Sequence, residues 1–438
     1  MLPCRPWQQA VSLLNQHLVK EHLQVSDKLA AGLRALLDTN SSFASTQAAW
    51  RFYRNEQTYL PVLTHPLLVE AHKGVTERCD SYALAVADWS AINFGKHQNK
   101  KDRQQRTPQY DVGYELPTSL WLNDPNGEPL APIVQNLVTQ EGVWSSYHDE
   151  RIQPKPPLDE LTRRMKWIPE QPFAKPVVHL IDRETASIGH QREWDEAGFG
   201  FVLRDQAGST VEFNQRQVQR GEVADSLIFQ ATPEVSIHGK PATQYVAETE
   251  VTITRPARPK KYVDGKRVKP IKGKPLTLRL LVSRIMDDAG YVLAEWLMLS
   301  NLKEVSAKVM ALGYYWRWRI ESFFKLLKPA GHQLESWQQE SGLALAKRLL
   351  IASMAGIVVW QIAHSPLPEA KEVQAFLIKL SGRQMKRDKP ATWPALLSGL
   401  WGLLSMLEVL ENDRMDEWYE FRDRLRNTSS VFAKLVPG

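Results

Sequence analysis

The sequence predicts an α/β fold whose functional groups gather at the carboxyl edge of a sheet. Two observations carry that expectation. Short continuous apolar runs, SYALAVAD (81–88) and PVVHLID (176–182), each end in an aspartate. Runs of this length without polar alternation are what strands buried on both faces look like. Between and after them come helix-like stretches, LDELTRRMKWI (158–168) and TASIGHQREWDEAG (185–198), and a further strand-like run, FGFVLRD (199–205). Strands alternating with helices, with acids at strand ends, place a site at the strand C-terminal edge.

The other elements follow in order. Residues 1–75 read as helical. PWQQAVSLLNQHLV has apolar residues at helical spacing, and Ser26-Asp27 caps KLAAGLRALLD. The turn TNSSFAS leads into TQAAWRFYRN, a basic and aromatic last helix. QYDVGYELPTSLWLND (109–124) contains two further strand-like runs. From 206 to 299 the runs STVEFNQRQVQ, SLIFQATPEVSIHG, TEVTITR, LTLRLLVSRI and YVLAEWLMLS alternate β-branched and polar residues, as in an exposed antiparallel sheet. Within them, residues 255–274 carry nine Lys or Arg against one Asp, and their prolines and glycines argue for a loop. That tract reads either as a clamp on a polyanion or as a solvated loop. Residues 301–364 are helical, and the linker SGRQMKRDKPATWP precedes last helices at 393–436.

Composition narrows the function classes. With 438 residues the chain is long enough for several domains. A net charge of +6 favours a polyanionic partner. Two cysteines, Cys4 and Cys79, without a CxxC argue against a disulfide framework or a zinc knuckle and fit a reducing cytosol. The start lacks an apolar signal-peptide region. The longest apolar run, 349–360, is too short to span a bilayer, so no membrane partner is expected.

One stretch is unusual. In YYWRWRIESFFKLLKP (314–329), read as one helix, Tyr314, Arg317, Glu321, Lys325 and Lys328 fall within an arc of about 80°. Trp316, Ile320, Phe323, Phe324 and Leu327 fall on the opposite, buried side. A single acid thus stands in a row of cationic and phenolic groups. Together with Asp88 and Asp182 it makes three carboxylates on separate elements. Such a set can hold two hard divalent cations roughly 4 Å apart, the arrangement suited to phosphodiester chemistry. Taken singly, a strand-ending aspartate is equally a helix cap or turn residue. A glutamate among lysines is equally a solvated face.

The spacing Y-x2-R-x3-E-x6-K at 314–328 resembles the signature of the insertion-sequence-four family of DDE transposases. AAWRFYRN (48–55), LIDRE (180–184), GFVLR (200–204) and EWLMLS (295–300) are similar to other blocks of that family, in order. The resemblance implies an RNase H-like catalytic core with a β-rich insertion, flanked by helical terminal domains. Its divisions would be an N-terminal DNA-binding domain (1–75), core (76–205), insertion (206–300), core with the signature helix (301–365) and a C-terminal domain (366–438) suited to dimerisation. It implies Asp88, Asp182 and Glu321 as catalytic metal ligands for two Mg2+ ions, with Mn2+ able to substitute. Tyr314, Arg317, Lys325, Lys328 and Arg204 would contact end DNA, Trp296 would stack on a displaced base, and Arg51 and Arg54 belong to the N-terminal DNA-binding segment. The implied activity is cut-and-paste transposition. The enzyme would nick at terminal inverted repeats, form and open a hairpin, and join 3′-hydroxyl ends to target double-stranded DNA. It would act as a homodimer in a synaptic complex, in the bacterial cytoplasm at the nucleoid. The block after Asp182 lacks the second acid that the family often carries there. A transposase-derived DNA-binding inhibitor and an RNase H-like nuclease that only hydrolyses are the competing readings.

Overall fold

A computed structural model of the chain describes residues 50–55, 57–106, 111–182, 187–237, 240–258, 262–263, 266–385 and 391–412. The helices expected at 1–49 and beyond 412 lie outside the described residues. The chain divides into two compact units. One comprises Tyr53–Lys328 and Gln333–Ser353; the other comprises Met1–Phe52, Pro329–His332 and Met354–Gly438.

In the first unit α1 (Leu60–Arg78) precedes β1 (Ala83–Asn93), β2 (Gln104–Gln105), β3 (Val112–Asn123), β4 (Pro129–Thr139) and β5 (Gly142–Ser145). Next come α2 (Pro157–Trp167), β6 (Val177–Ile181), α3 (Ile188–Glu196) and β7 (Gly200–Asp205). After them run β8 (Thr210–Phe213), β9 (Arg216–Gln219), α4 (Arg220–Asp225), β10 (Gln230–Ile237) and β11 (Lys240–Ile253). The unit continues through β12 (Tyr262–Val263), β13 (Lys266–Arg267), β14 (Leu276–Met286), β15 (Val292–Ser300), α5 (Ala307–Trp316) and α6 (Arg319–Leu327). Helix α7 (Gly342–Ala363) begins in this unit and ends in the other, which also holds α8 (Ala370–Leu380) and α9 (Trp393–Asn412).

The architecture is mixed α/β, built on a large mixed sheet. Among the described residues thirteen strands join it, in the order β5-β4-β3-β1-β6-β7-β15-β14-β11-β8-β9, with β2 on β3 and β10 on β11. β1 runs antiparallel to β3 and parallel to β6, and β6 runs parallel to β7. The parallel centre is where continuous apolar runs were expected, because helices cover such strands on both sides.

Three expectations change. The stretch 109–124 was read as two strand-like runs; its described part is the single long strand β3. Strand β4 was not anticipated at all, because Pro129 and Pro132 disguise it; the β3–β4 ladder takes them in at two register shifts. The strands of 206–299 do not form a separate exposed sheet. β15 pairs with β7 and extends the central sheet outward. One face is buried: Val251, Ile253, Leu278, Leu280, Val282, Leu297 and Leu299 pack in one cluster with Leu161 and Met165 of α2 and Trp194 of α3. The β8–β9 turn is tight, with Asn214 and Gln215 both in the left-handed region that two-residue hairpins need.

Residues 314–328 are not one helix. α5 ends at Trp316 and α6 begins at Arg319. Between them the amide of Arg317 bonds the Tyr314 carbonyl, and that of Ile320 bonds the Arg317 carbonyl, both at 3.1 Å. These three-residue steps are a local 3₁₀ tightening. Lys328 lies beyond the last turn, in extended backbone.

Helix α7 extends the 349–360 run on both sides. Among the described residues it is the one helix long and apolar enough, by length and composition, to cross a membrane, and 94% of its most apolar window is buried. In the second unit the apolar stripe of α9, Leu396, Leu397, Leu400 and Leu403, is buried within the monomer. Gly399 makes this possible: a Cβ there would lie 1.9 Å from the Leu377 carbonyl oxygen of α8.

Candidate active site

Asp88 does not end its strand, as the sequence suggested; β1 continues to Asn93 against β3. What ends at Asp88 is the parallel ladder. β1 and β6 pair from Ala83–Val177 to Ala87–Ile181, and Asp88 and Asp182 are the next residues on the two strands. Equivalent positions on neighbouring parallel strands project from the same face, with the strands about 4.8 Å apart. The register therefore sets two carboxylates side by side.

Glu321 arrives from the other end of the chain, in the first turn of α6, where a negative charge meets the positive end of the helix dipole. All three acids meet at one group, the guanidinium of Arg317. Its Nη1 lies 3.5 Å from Asp88 Oδ2; its Nη2 lies 3.3 Å from Asp182 Oδ2 and 3.5 Å from Glu321 Oε1. The arginine side chain is only 4% exposed, whereas the three acids are 23%, 33% and 33% exposed. Tyr314 is buried and donates its hydroxyl to Asp182 Oδ1 at 3.1 Å. Arg204, at the end of β7, stands 3.9 Å from the same oxygen.

The electrostatics follow from this crowding. Burial pushes the Asp88 carboxyl up to about 6, and the charges of Asp182 and Glu321 push the same way. The Trp89 amide, donating to Asp88 Oδ1 at 2.8 Å, and Arg317 oppose the rise. Burial also raises the Tyr314 phenol well above its ordinary value, with Asp182 adding to it. For Arg317 burial alone favours loss of the proton, but Tyr314 and the three carboxylates outweigh it and hold the guanidinium more firmly charged than usual. In a partly buried cluster each charge depends on its neighbours.

Other sequence-expected residues take different places. Trp296, on β15, is 5% exposed and meets Tyr314 edge-on, with ring centroids 5.7 Å apart, so its ring face is not offered to solvent. Lys325 is exposed one turn beyond Glu321. Lys328 is half-buried and donates to the Ala91 carbonyl at 2.6 Å; burial lowers its pKa. Arg51 and Arg54 are exposed on the helical turn at 50–54, and Arg54 faces Glu340 at 3.7 Å. Lys100 is buried and donates to the Gln339 carbonyl; burial pulls its ammonium down to about 8. The basic tract is more than a loop. Ala257 and Ile271 bridge its two sides, β12 pairs with β13, and Arg192 of α3 donates to the Arg255 carbonyl at 3.0 Å. Residues 183–186, 259–261 and 264–265 lie outside the described residues.

Sequence reasoning passed over the groups that hold α5 and α6 in place. Gln244 of β11 is fully buried; its Nε2 donates to Ser283 Oγ of β14 at 2.9 Å and to the Ala311 carbonyl of α5 at 3.2 Å. Tyr315 bonds the Ser236 backbone of β10. Trp316 packs on Gly127 in the β3–β4 turn, where φ is +68° and a Cβ would lie 2.3 Å from the indole. The one available signal was a glutamine at an inward strand position. Strands β10, β11 and β14 and the β3–β4 turn are thus the support on which α5 and its C-terminal turn rest.

In donor chemistry the cluster suits a hard divalent cation, since all three acids present carboxylate oxygens. Their shared space is taken by the Arg317 guanidinium, and among the described residues no three His, Cys, Asp or Glu side chains stand close enough to ligate one ion.

No family model matches the chain, and no curated protein matches it. Among solved structures, a piggyBac transposase synaptic complex with hairpin DNA is similar over 82% of this chain and 58% of that one, at 10% identity and a TM-score of 0.32. The chain therefore spans less than two thirds of that protein's length. A likeness of this size carries no argument about function.

Proposed function

We propose that the chain is a cut-and-paste DNA transposase of the DDE type. In this reading β4-β3-β1-β6-β7 form an RNase H-like core, and the strands from β8 to β15 are the β-rich insertion between its fifth strand and the helix bearing Glu321. The observation that carries the reading is the convergence of Asp88, Asp182 and Glu321, three acids from separate elements, around Arg317. An isolated buried ion pair needs one acid. Three acids gathered at the edge of a parallel ladder repel one another, a cost to the fold that is expected where the site has a use for them.

Asp88, Asp182 and Glu321 would hold Mg2+ or Mn2+. Bound there, two such ions would activate a water or 3′-hydroxyl and stabilise the leaving oxygen of the attacked phosphodiester. The chain's own groups supply the rest. The register of β1 and β6 fixes two ligands before any substrate arrives. Arg204, Lys325 and the basic tract at 255–274 would supply positive charge for backbone phosphates, the salt-sensitive and sequence-independent part of binding. Tyr314 and Trp296 form an aromatic pair beside the acids, and rearrangement of that pair would present a surface on which a displaced base can stack. Nicking, hairpin formation, hairpin opening and strand transfer are all in-line displacements at phosphorus, so one site serves all four. A homodimer holding two transposon ends completes the proposal.

The test is cleavage of DNA carrying terminal inverted repeats, with Mg2+. Hairpin and joined products support transposition, and simple nicks point to a hydrolytic nuclease. Binding without products points to a non-catalytic inhibitor. Glu321→Gln is expected to abolish every product while end binding persists; residual cleavage in that variant removes Glu321 from the chemistry.

A further inference from the structure

Arg317 sits where a metal-dependent site has least room for an arginine. Its guanidinium is buried and within 3.5 Å of an oxygen from each of the three acids. Without a cation there, three carboxylates in so small a space repel one another. Yet the arginine is not locked into them. The separations of 3.3 to 3.5 Å exceed the roughly 2.8 Å of a well-formed charged hydrogen bond. Nε and Nη1 are buried with no hydrogen-bond partner. Its backbone lies in the turn between α5 and α6, outside either helix.

We propose that Arg317 is a resident counter-cation. It holds the three carboxylates together in the metal-free protein and competes with divalent cations for them. The inference rests on the reading of Asp88, Asp182 and Glu321 as metal ligands, and it assigns Arg317 a positioning role that the phosphate contact implied by the sequence motif does not include. A loosely bonded guanidinium is a suitable occupant, because it neutralises the site without the tight fork geometry that would make its removal slow.

The experiment uses the full chain, freed of metal, and Mn2+ alone as the probe. Mn2+ affinity is measured by calorimetry and by the spectrum of free Mn2+, for the wild type and for Arg317→Gln, Arg317→Lys and Glu321→Gln. Arg317→Gln is expected to bind Mn2+ at least about tenfold more tightly than the wild type, since its competitor is gone. Arg317→Lys, which keeps a charge, is expected to fall between them, and Glu321→Gln to lose binding. If Arg317→Gln does not fold without metal, Mn2+ is expected to restore a cooperative melting transition; failure to restore it counts against the proposal. Equal or weaker Mn2+ binding by Arg317→Gln, with binding still lost in Glu321→Gln, overturns the counter-cation and leaves the metal reading standing. No Mn2+ binding in any form, or binding indifferent to Glu321→Gln, overturns both.

Discussion

Replacing Asp88 by asparagine should make the metal-free protein more stable at neutral pH while removing its chemistry. In the unfolded chain Asp88 loses its proton near the ordinary 3.8, and in the fold it does so near 6. Between those values the folded protein keeps a proton that the unfolded chain has released. The stability this provides is fully present below about pH 4 and is lost as pH rises through 6. The gap corresponds to about 3 kcal/mol by pH 7.5, and the residue is buried enough, at 23% exposure, for most of it to be felt. Asparagine has nearly the same shape and keeps an oxygen for the Trp89 amide, but it does not ionise. Arg317 retains Asp182 and Glu321.

The assay is urea denaturation in chelator at several pH values from 4.5 to 7.5, comparing wild type and Asp88→Asn. Subtracting the variant cancels the titrating groups that do not interact with Asp88. The variant is expected to be about 1 kcal/mol more stable at pH 4.5, with the gap widening steadily to about 2 to 3 kcal/mol at pH 7.5. A difference that does not change with pH, or a variant less stable than the wild type at pH 7.5, refutes the reasoning. Strand cleavage by the variant should be absent at every pH.

Other substitutions probe the supports of the site. Gly127→Ala puts a Cβ 2.3 Å from the Trp316 indole at a positive φ, so a loss of about 2 kcal/mol or more is expected in denaturant melts. Gln244→Leu leaves the Ala311 carbonyl and the Ser283 hydroxyl without that partner, which costs about 1 to 3 kcal/mol and lowers the cleavage rate without changing the metal requirement. Trp296→Ala should destabilise the fold by about 3 kcal/mol, as removal of a buried aromatic does. In the same variant nicked ends should accumulate at the expense of hairpins, and an unchanged product ratio removes the stacking role.

The parts of the fold that were legible in the sequence are those governed by local pattern. β1 and β6 announce themselves as apolar runs because both their faces are covered. α2 and α3 show helical spacing. What stayed hidden depends on distant partners. β4 carries two prolines that its neighbour absorbs through register shifts. α4 has six residues, too few for a period to register. The break at Arg317 lies within a stretch whose residues all suit a helix. Its cause is tertiary: Tyr314 and Trp316 are buried on one side of the break, and Ile320 and Phe323 on the other. For the site, the chain offered the residue types but not their arrangement. The Arg317–Glu321 contact is an i,i+4 pair that spacing alone can suggest. The contacts of the same guanidinium with Asp88 and Asp182 join positions more than 130 residues apart in the chain, and only the sheet register brings them together.

That arrangement bears on how metal and nucleic acid would act on one another. A guanidinium with unused donors is attractive to a phosphate oxygen, and a row of carboxylates is attractive to a divalent cation. Here each attraction is partly satisfied by the other, across separations of 3.3 to 3.5 Å. On the counter-cation proposal, a ligand that drew Arg317 outward would uncover the acids, and an ion that occupied the acids would release Arg317. Linkage then requires the two effects to be equal: if a bound phosphate strengthens metal binding by some factor, metal strengthens phosphate binding by the same factor. An enzyme built this way would hold its ions weakly until a DNA backbone lay against α5 and α6. The safeguard would be thermodynamic, and it would need no moving lid.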